Sequence, residues 1–144
     1  MIEQDTIKLL RECDAGIQMG VSAIEDVLDC VQDRQLKQYL TDSMRDHNTL
    51  DDELRDLLDR YGDEGKAPNP MAKGMSWIKT TVKLNLDESD ATIADLMTDG
   101  CDMGVKSLSR YLNQYTAADE ASKSLCKRLI KVEETLGVQM RDYL

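Results

Sequence analysis

The chain has 144 residues and a formal net charge of −10, with 41% hydrophobic and 32% charged residues. That balance is too apolar for a disordered protein, and the length suits one domain with its own core. Phenylalanine is absent, and the apolar residues are mostly Leu, Ile, Val and Met, which favours helices over sheets. The acidic charge argues against a nucleic acid partner, because the phosphates would be repelled.

The first half of the chain is predicted to form a helical hairpin over residues 5–62. Apolar residues recur every three or four positions as far as Val31, which places them in one stripe along a helix. Residues 32–35 then make a tight connection. The same spacing resumes at Leu36 and continues through His47 to Tyr61, and Gly62 is a suitable residue to end the helix.

A second helical hairpin is predicted over residues 89–144, after a long crossover (residues 63–88) that contains a short extra helix. Ser89 or Asp90 can cap the third helix, residues 116–119 turn the chain, and a fourth apolar stripe runs to Tyr143. Short turns make the helices of each hairpin antiparallel neighbours. The sequence therefore predicts an all-α fold, a four-helix bundle of two tandem hairpins in a single domain, residues 1–144.

A Cys-Asp-x-Gly tetrad occurs twice, at residues 13–16 and 101–104, which are equivalent points of the first and third helices. This internal repeat indicates a duplicated hairpin. Gly16, Gly20, Gly100 and Gly104 fall inside helical pattern, where each costs about 1 kcal/mol relative to Ala. We expect them to allow close approach of a partner backbone or of a bulky side chain.

The spacing of the cysteines and the length of the apolar stretches indicate the cellular location of the protein. Its four cysteines lie far apart and form neither a Cys-x-x-Cys pair nor a zinc-ligand cluster, so buried free thiols are expected. No stretch approaches the roughly 18 consecutive apolar residues of a transmembrane helix, and the first residues lack the pattern of a secretory signal. The expectation is a cytoplasmic protein without a transmembrane segment.

The hairpin plan and the segment MSWIKTTVKLNLDESDATIADLMTDGCDMGVKSL (residues 75–108) resemble the ferritin-like superfamily, in particular small bacterial ferritin-like proteins of unknown function. This resemblance implies a four-helix bundle with a long crossover between its second and third helices. In ferritin-like di-metal proteins, two helices each supply a Glu and the other two each supply Glu-x-x-His. The resemblance therefore raises the possibility of an iron or manganese site.

This chain departs from that metal-ligand pattern at most positions. His47 has Met44 three residues before it, and Glu133 has Leu136 three residues after it, so each Glu-x-x-His pair has lost one member. Gln18 and Lys106 stand near the level expected for the other two glutamates. We therefore expect no metal cofactor. In the alternative, a remnant iron or manganese site uses Asp14, His47, Asp102 and Glu133.

The same four residues also have an ordinary structural interpretation. His47 is then an imidazole at the edge of the core, hydrogen-bonded to a carboxylate such as Asp14 or Asp51. Asp14 and Asp102 set the register of their helices or point to solvent, and Glu133 belongs to a helix surface. This interpretation is favoured over a metal site.

The crossover contains the most basic stretch of the chain, with no acidic residue between Glu64 and Asp87. It contains Lys73, Trp77, Lys79 and Lys83, together with apolar residues at helical spacing. A basic amphipathic helix of this kind can dock on a partner or on an anionic membrane. The favoured interpretation is a crossover whose apolar side covers the bundle and whose lysines face acidic helices, so membrane binding is not expected.

Three functions follow, in order of preference. The first is a non-enzymatic structural or interaction protein with a protein partner or a second copy of itself, because the positions that carry ferritin-like chemistry are eroded. The second is a metal-binding protein with a remnant site. The third is a docking or membrane-surface module that uses the basic crossover.

Overall fold

A computed structural model describes residues 3–66 and 89–144, and the description below concerns these residues. They form four long helices: α1 (Gln4–Leu28), α2 (Arg34–Tyr61), α3 (Asp90–Gln114) and α4 (Glu120–Met140). A 3-10 turn, Arg141–Tyr143, follows α4. The described residues contain no strand. The predicted all-α four-helix bundle is confirmed, whereas the extra helix of the crossover lies outside the described residues.

Side-chain caps begin three of the four long helices, and a left-handed glycine ends one of them. The last three helices each follow a residue whose side-chain oxygen accepts a hydrogen bond from a backbone N–H three positions later, and these residues are Asp33, Ser89 and Asp119. Gly62 ends α2 in the left-handed conformation, with φ of 68°. A residue with a β-carbon would be strained there. The predicted caps at Ser89 and Gly62 are confirmed.

Contacts between the helices set their directions. The carboxylate of Asp90, at the start of α3, accepts hydrogen bonds from the backbone N–H groups of Gln32 and Asp33, just after α1, at 2.8 and 2.9 Å. At the other end of the bundle, Asp5 of α1 accepts from the Ala117 N–H, after α3. The two helices α1 and α3 are therefore antiparallel.

The second and third helices consequently run in the same direction. Asp63, just after α2, is bound by the Arg11 guanidinium near the start of α1, so α2 ends where α1 begins. Because α3 begins where α1 ends, residues 63–88 connect opposite ends of the bundle. Arg128 of α4 binds Glu53 of α2, which places these two helices side by side.

The apolar core consists of two clusters stacked along the bundle. One contains Leu10, Ile17 and Leu54, and the other contains Ile24 and Leu40, each with partners from the second hairpin. The residues between the two clusters form a central layer of unusual composition: Gly20 of α1, His47 of α2, Gly104 of α3 and Glu133 of α4. The polar side chains of His47 and Glu133 therefore lie at mid-height, between two apolar clusters.

Candidate functional site

The central layer contains a buried histidine–glutamate pair. His47 is 0% exposed and Glu133 is 8% exposed, and His47 Nε2 lies 2.6 Å from Glu133 Oε1. The other ring nitrogen, Nδ1, lies 2.7 Å from the Ser43 carbonyl oxygen. A carbonyl oxygen only accepts hydrogen bonds, so Nδ1 carries a proton. A second proton lies between Nε2 and the Glu133 carboxylate. With both protons in place, the histidine–glutamate pair carries no net charge.

The surroundings of His47 favour its protonated form. Burial lowers the pKa of His47, but the hydrogen bond and the charge of Glu133 act in the opposite direction. The Ser43 carbonyl and the charge of Asp46 add to the second effect, and together these groups raise the pKa above its ordinary value. His47 and Glu133 thus stabilise each other as an ion pair inside the bundle.

Two interior glycines provide the space for this pair. A β-carbon on Gly20 would lie 2.5 Å from His47 Nε2, and one on Gly104 would lie 3.4 Å from Glu133 Oε2. The first distance is impossible without moving the ring, and the second is tight. Each glycine therefore accommodates a polar side chain from the other helix of its own hairpin, as expected from its position in the helical pattern.

A cavity of about 530 Å³ lies between α1 and α3, with His47 and Glu133 among its lining residues. Volumes of this size are typical of small-molecule sites. Small residues on the two helices create the space, and they include residues of both tetrads: Ala15, Gly16, Gly20, Ala23, Gly100 and Gly104. Apolar side chains such as Ile24, Met97 and Leu136 complete the walls.

The Cys101 thiol belongs to the same site, although the sequence predicted only a buried apolar role for it. Cys101 is buried, lines the cavity and lies beside Glu133. Burial raises the pKa of the Cys101 thiol well above its ordinary value, and Glu133 raises it further. The thiol therefore stays protonated, and it is a weak hydrogen-bond donor rather than a nucleophile. Cys13, Cys101 and Cys126 are free and buried, as predicted, whereas Cys30 is only partly buried.

The cavity reaches the surface beside exposed methionines and an ion pair. Met19 of α1 and Met103 of α3 line it and are 37% and 56% exposed. Lys66 and Glu12 also line it, and Lys66 Nζ lies 2.6 Å from Glu12 Oε1. The outer part of the site thus combines flexible apolar side chains with one salt bridge.

The four candidate metal ligands are not brought together. His47 and Glu133 meet, Asp14 lies in the adjoining part of α1, and Asp102 is exposed. The predicted hydrogen bond of His47 to a carboxylate is present, but the carboxylate belongs to Glu133 rather than to Asp14 or Asp51, and the ring is fully buried rather than at the edge of the core. The expectation that Glu133 belongs to a helix surface is wrong, because Glu133 is buried. Lys106, expected at the level of the site, is exposed.

Asp14 performs a separate structural task. It is buried, and its carboxylate accepts hydrogen bonds from the Arg55 guanidinium and from the backbone N–H of Lys66. A β-carbon on Gly65 would lie 2.2 Å from Asp14 Oδ2, and Gly65 has φ of 84°. Asp14 therefore attaches the first residues of the crossover to α1 and α2.

The donor set does not fit a ferritin-like metal centre. Within residues 3–66 and 89–144, no group of three or more His, Cys, Asp and Glu side chains could hold a metal ion. Both nitrogens of His47 are already engaged, and a metal would have to displace the proton shared with Glu133. The chemistry that this arrangement supports is hydrogen bonding and ion pairing inside an apolar cavity.

The basic interaction residues Lys73, Trp77, Lys79 and Lys83 lie outside the described residues. Lys66, at the start of the same stretch, binds acidic Glu12 of α1. No helix in the described ranges is long and apolar enough to cross a bilayer.

Comparisons with known proteins add no identification. No family model, no curated protein and no solved structure matches this chain.

Proposed function

We propose that the protein is a non-enzymatic helical bundle that binds a small organic molecule in the cavity between α1 and α3. The observation that carries this proposal is the cavity of about 530 Å³ with the buried His47–Glu133 pair in its lining. A large apolar cavity with a few convergent polar groups is the usual form of a ligand site. The bundle would thus act by binding a small molecule, since it lacks the metal-ligand pattern of ferritin-like enzymes.

The chemistry of the cavity favours binding over catalysis. Glu133 and His47 neutralise each other, so neither is poised as a free general base. Cys101 faces a carboxylate, which disfavours its thiolate, whereas nucleophilic cysteines lie beside cationic groups. The described residues of the cavity are therefore suited to recognition.

We also propose a ferritin-like relationship and a duplicated hairpin. Support comes from the parallel directions of α2 and α3 and from the mid-height position of His47 and Glu133, where such proteins hold metal ligands. The two Cys-Asp-x-Gly tetrads contribute to the same cavity from opposite hairpins. In this proposal the metal site has been replaced by a ligand cavity. The expected protein partner or second copy stays a prediction.

A ligand screen tests the proposed function. Thermal unfolding is measured with a chemically diverse set of small molecules, and hits are repeated on Ala23→Leu, which places a larger side chain in the cavity. Ala121→Leu, at an exposed position of α4, is the matched control. We expect ligands that stabilise the native protein and Ala121→Leu but not Ala23→Leu. Hits that stabilise all three proteins equally would contradict the proposal.

A further inference from the structure

We propose that the cavity selects an amphipathic organic amine, whose protonated nitrogen donates hydrogen bonds to the Glu133 carboxylate and whose apolar body lies between α1 and α3. This inference rests on the proposed function and adds the chemical class of the ligand. Three features of the cavity lead to this inference. They are the remaining hydrogen-bond capacity of the Glu133 carboxylate, the pairing of the charged side chains in the lining, and the apolar walls.

The first feature is the hydrogen-bonding capacity of Glu133. An ionised carboxylate can accept about four hydrogen bonds. In the part of the chain that the structure describes, His47 Nε2 is bound to Oε1, and the Cys101 thiol is the other donor beside this group. Oε2 lies next to Gly104, which lines the cavity. The Glu133 carboxylate can therefore accept a further hydrogen bond from a donor on the ligand.

The second feature is the charge of the lining. Two cationic side chains line the cavity in the described residues, and each already has a carboxylate partner: His47 has Glu133, and Lys66 has Glu12. Both carboxylates are paired as well, so charge alone does not select the ligand, but both ring nitrogens of His47 are already hydrogen-bonded and leave no donor for an anionic group. An ammonium group would meet an acceptor, and the net charge of −10 attracts cations towards the protein.

The third feature is the apolar wall, which determines the rest of the ligand. Ile24, Met97, Leu108 and Leu136 line the cavity around the pair, and Met19 and Met103 line its exposed part. Unbranched thioether side chains adapt to ligands of irregular shape. A linear polyamine would leave charged nitrogens against these walls without carboxylate partners, so the cavity fits one ammonium group on an apolar body.

Calorimetric titration with three probes of equal chain length tests the ligand class. The probes are octylamine, octanol and octanoate, which differ in the charge and donor character of the head group. We expect octylamine to bind with a stoichiometry of one, octanol to bind about tenfold more weakly, and octanoate to show no binding. This series uses the native protein, so it does not depend on the folding of any variant.

Matched variants locate the binding. Glu133→Gln keeps the shape of the side chain and removes its charge, whereas Glu134→Gln makes the same change at the exposed neighbouring position. The preference for octylamine over octanol should disappear in Glu133→Gln and persist in Glu134→Gln. Ala23→Leu should weaken all binding, and Ala121→Leu should not.

The outcomes separate this inference from the proposed function. Equal affinity for octylamine and octanol, lost in Ala23→Leu, would overturn the amine class and leave the cavity as a binding site. Octylamine binding that survives Ala23→Leu and Glu133→Gln would show attraction to the acidic surface, and would overturn the inference. An absence of octylamine binding would also overturn it, and the ligand screen would then decide the proposed function independently.

Discussion

Replacing Gly20 by Ala should destabilise the protein, although the same change in an ordinary helix interior stabilises by about 1 kcal/mol. The new β-carbon would lie 2.5 Å from His47 Nε2 and 2.9 Å from His47 Cδ2. The ring cannot easily move away, because it is fully buried and both of its nitrogens are hydrogen-bonded. The His47–Glu133 pair must therefore distort to accept the methyl group.

The expected magnitude follows from three contributions. Overpacking of a core costs about 1–3 kcal/mol, and weakening a hydrogen bond to a charged group costs about 1.5–3 kcal/mol. The better helix propensity of Ala returns about 1 kcal/mol. The free energy of unfolding should therefore fall by about 1.5–5 kcal/mol in Gly20→Ala.

Gly16→Ala, one turn earlier in α1, provides the matched control. Its β-carbon would meet Leu108 and Leu129 at 3.6 and 3.7 Å, which is ordinary van der Waals contact. This variant should be more stable than the native protein by up to about 1 kcal/mol. Urea denaturation followed by circular dichroism measures both changes. Equal effects of the two substitutions would contradict the close contact between Gly20 and the His47 ring.

A double-mutant cycle adds a second check on the same geometry. In a Glu133→Gln background, the hydrogen bond to His47 is already weakened, so Gly20→Ala should cost less than in the native protein. Additive effects of the two substitutions would mean that Gly20 does not act through the His47–Glu133 pair.

Three further predictions follow from the same contacts. The pKa of His47 is raised on folding, so its stabilising contribution is fully present below the unfolded value of about 6.5 and is lost as pH rises through the folded value. The difference in unfolding free energy between the native protein and His47→Gln should therefore fall as pH rises above about 6.5. Asp14→Ala should lower the unfolding free energy by about 1–3 kcal/mol in thermal unfolding, because Arg55 and the Lys66 N–H lose their acceptor. Protein purified without chelators should contain no stoichiometric iron or manganese by elemental analysis, and about one metal atom per chain that disappears in His47→Ala would contradict this.

The helices were predictable because the signals that form them are local. Apolar spacing and capping residues such as Ser89 and Gly62 act within a few positions of the chain. The errors occur where distant groups intervene. The first helix ends at Leu28 rather than near Val31, and the backbone N–H of Gln32 is bound by Asp90 of α3. A residue 58 positions away leaves no periodic signal in the sequence.

The site was predictable only in part, for the same reason. The spacing placed His47 in the core stripe, and the resemblance marked Glu133 as a remnant ligand, but their contact joins residues 86 positions apart. It depends on how the second hairpin docks on the first, which apolar spacing does not encode. The cavity exists because small residues of α1 and α3 leave space between the two helices. The glycines inside these helices were its only signal in the sequence.

Binding of an amine beside Glu133 is tested most directly by nuclear magnetic resonance of His47, the only histidine in the chain. With ring-labelled histidine, one set of imidazole signals reports on the binding cavity without assignment ambiguity. Octylamine should shift these signals in the native protein and in Ala121→Leu, but not in Ala23→Leu. Unchanged His47 signals in native protein that calorimetry shows to be saturated with octylamine would place the ligand elsewhere and contradict the account.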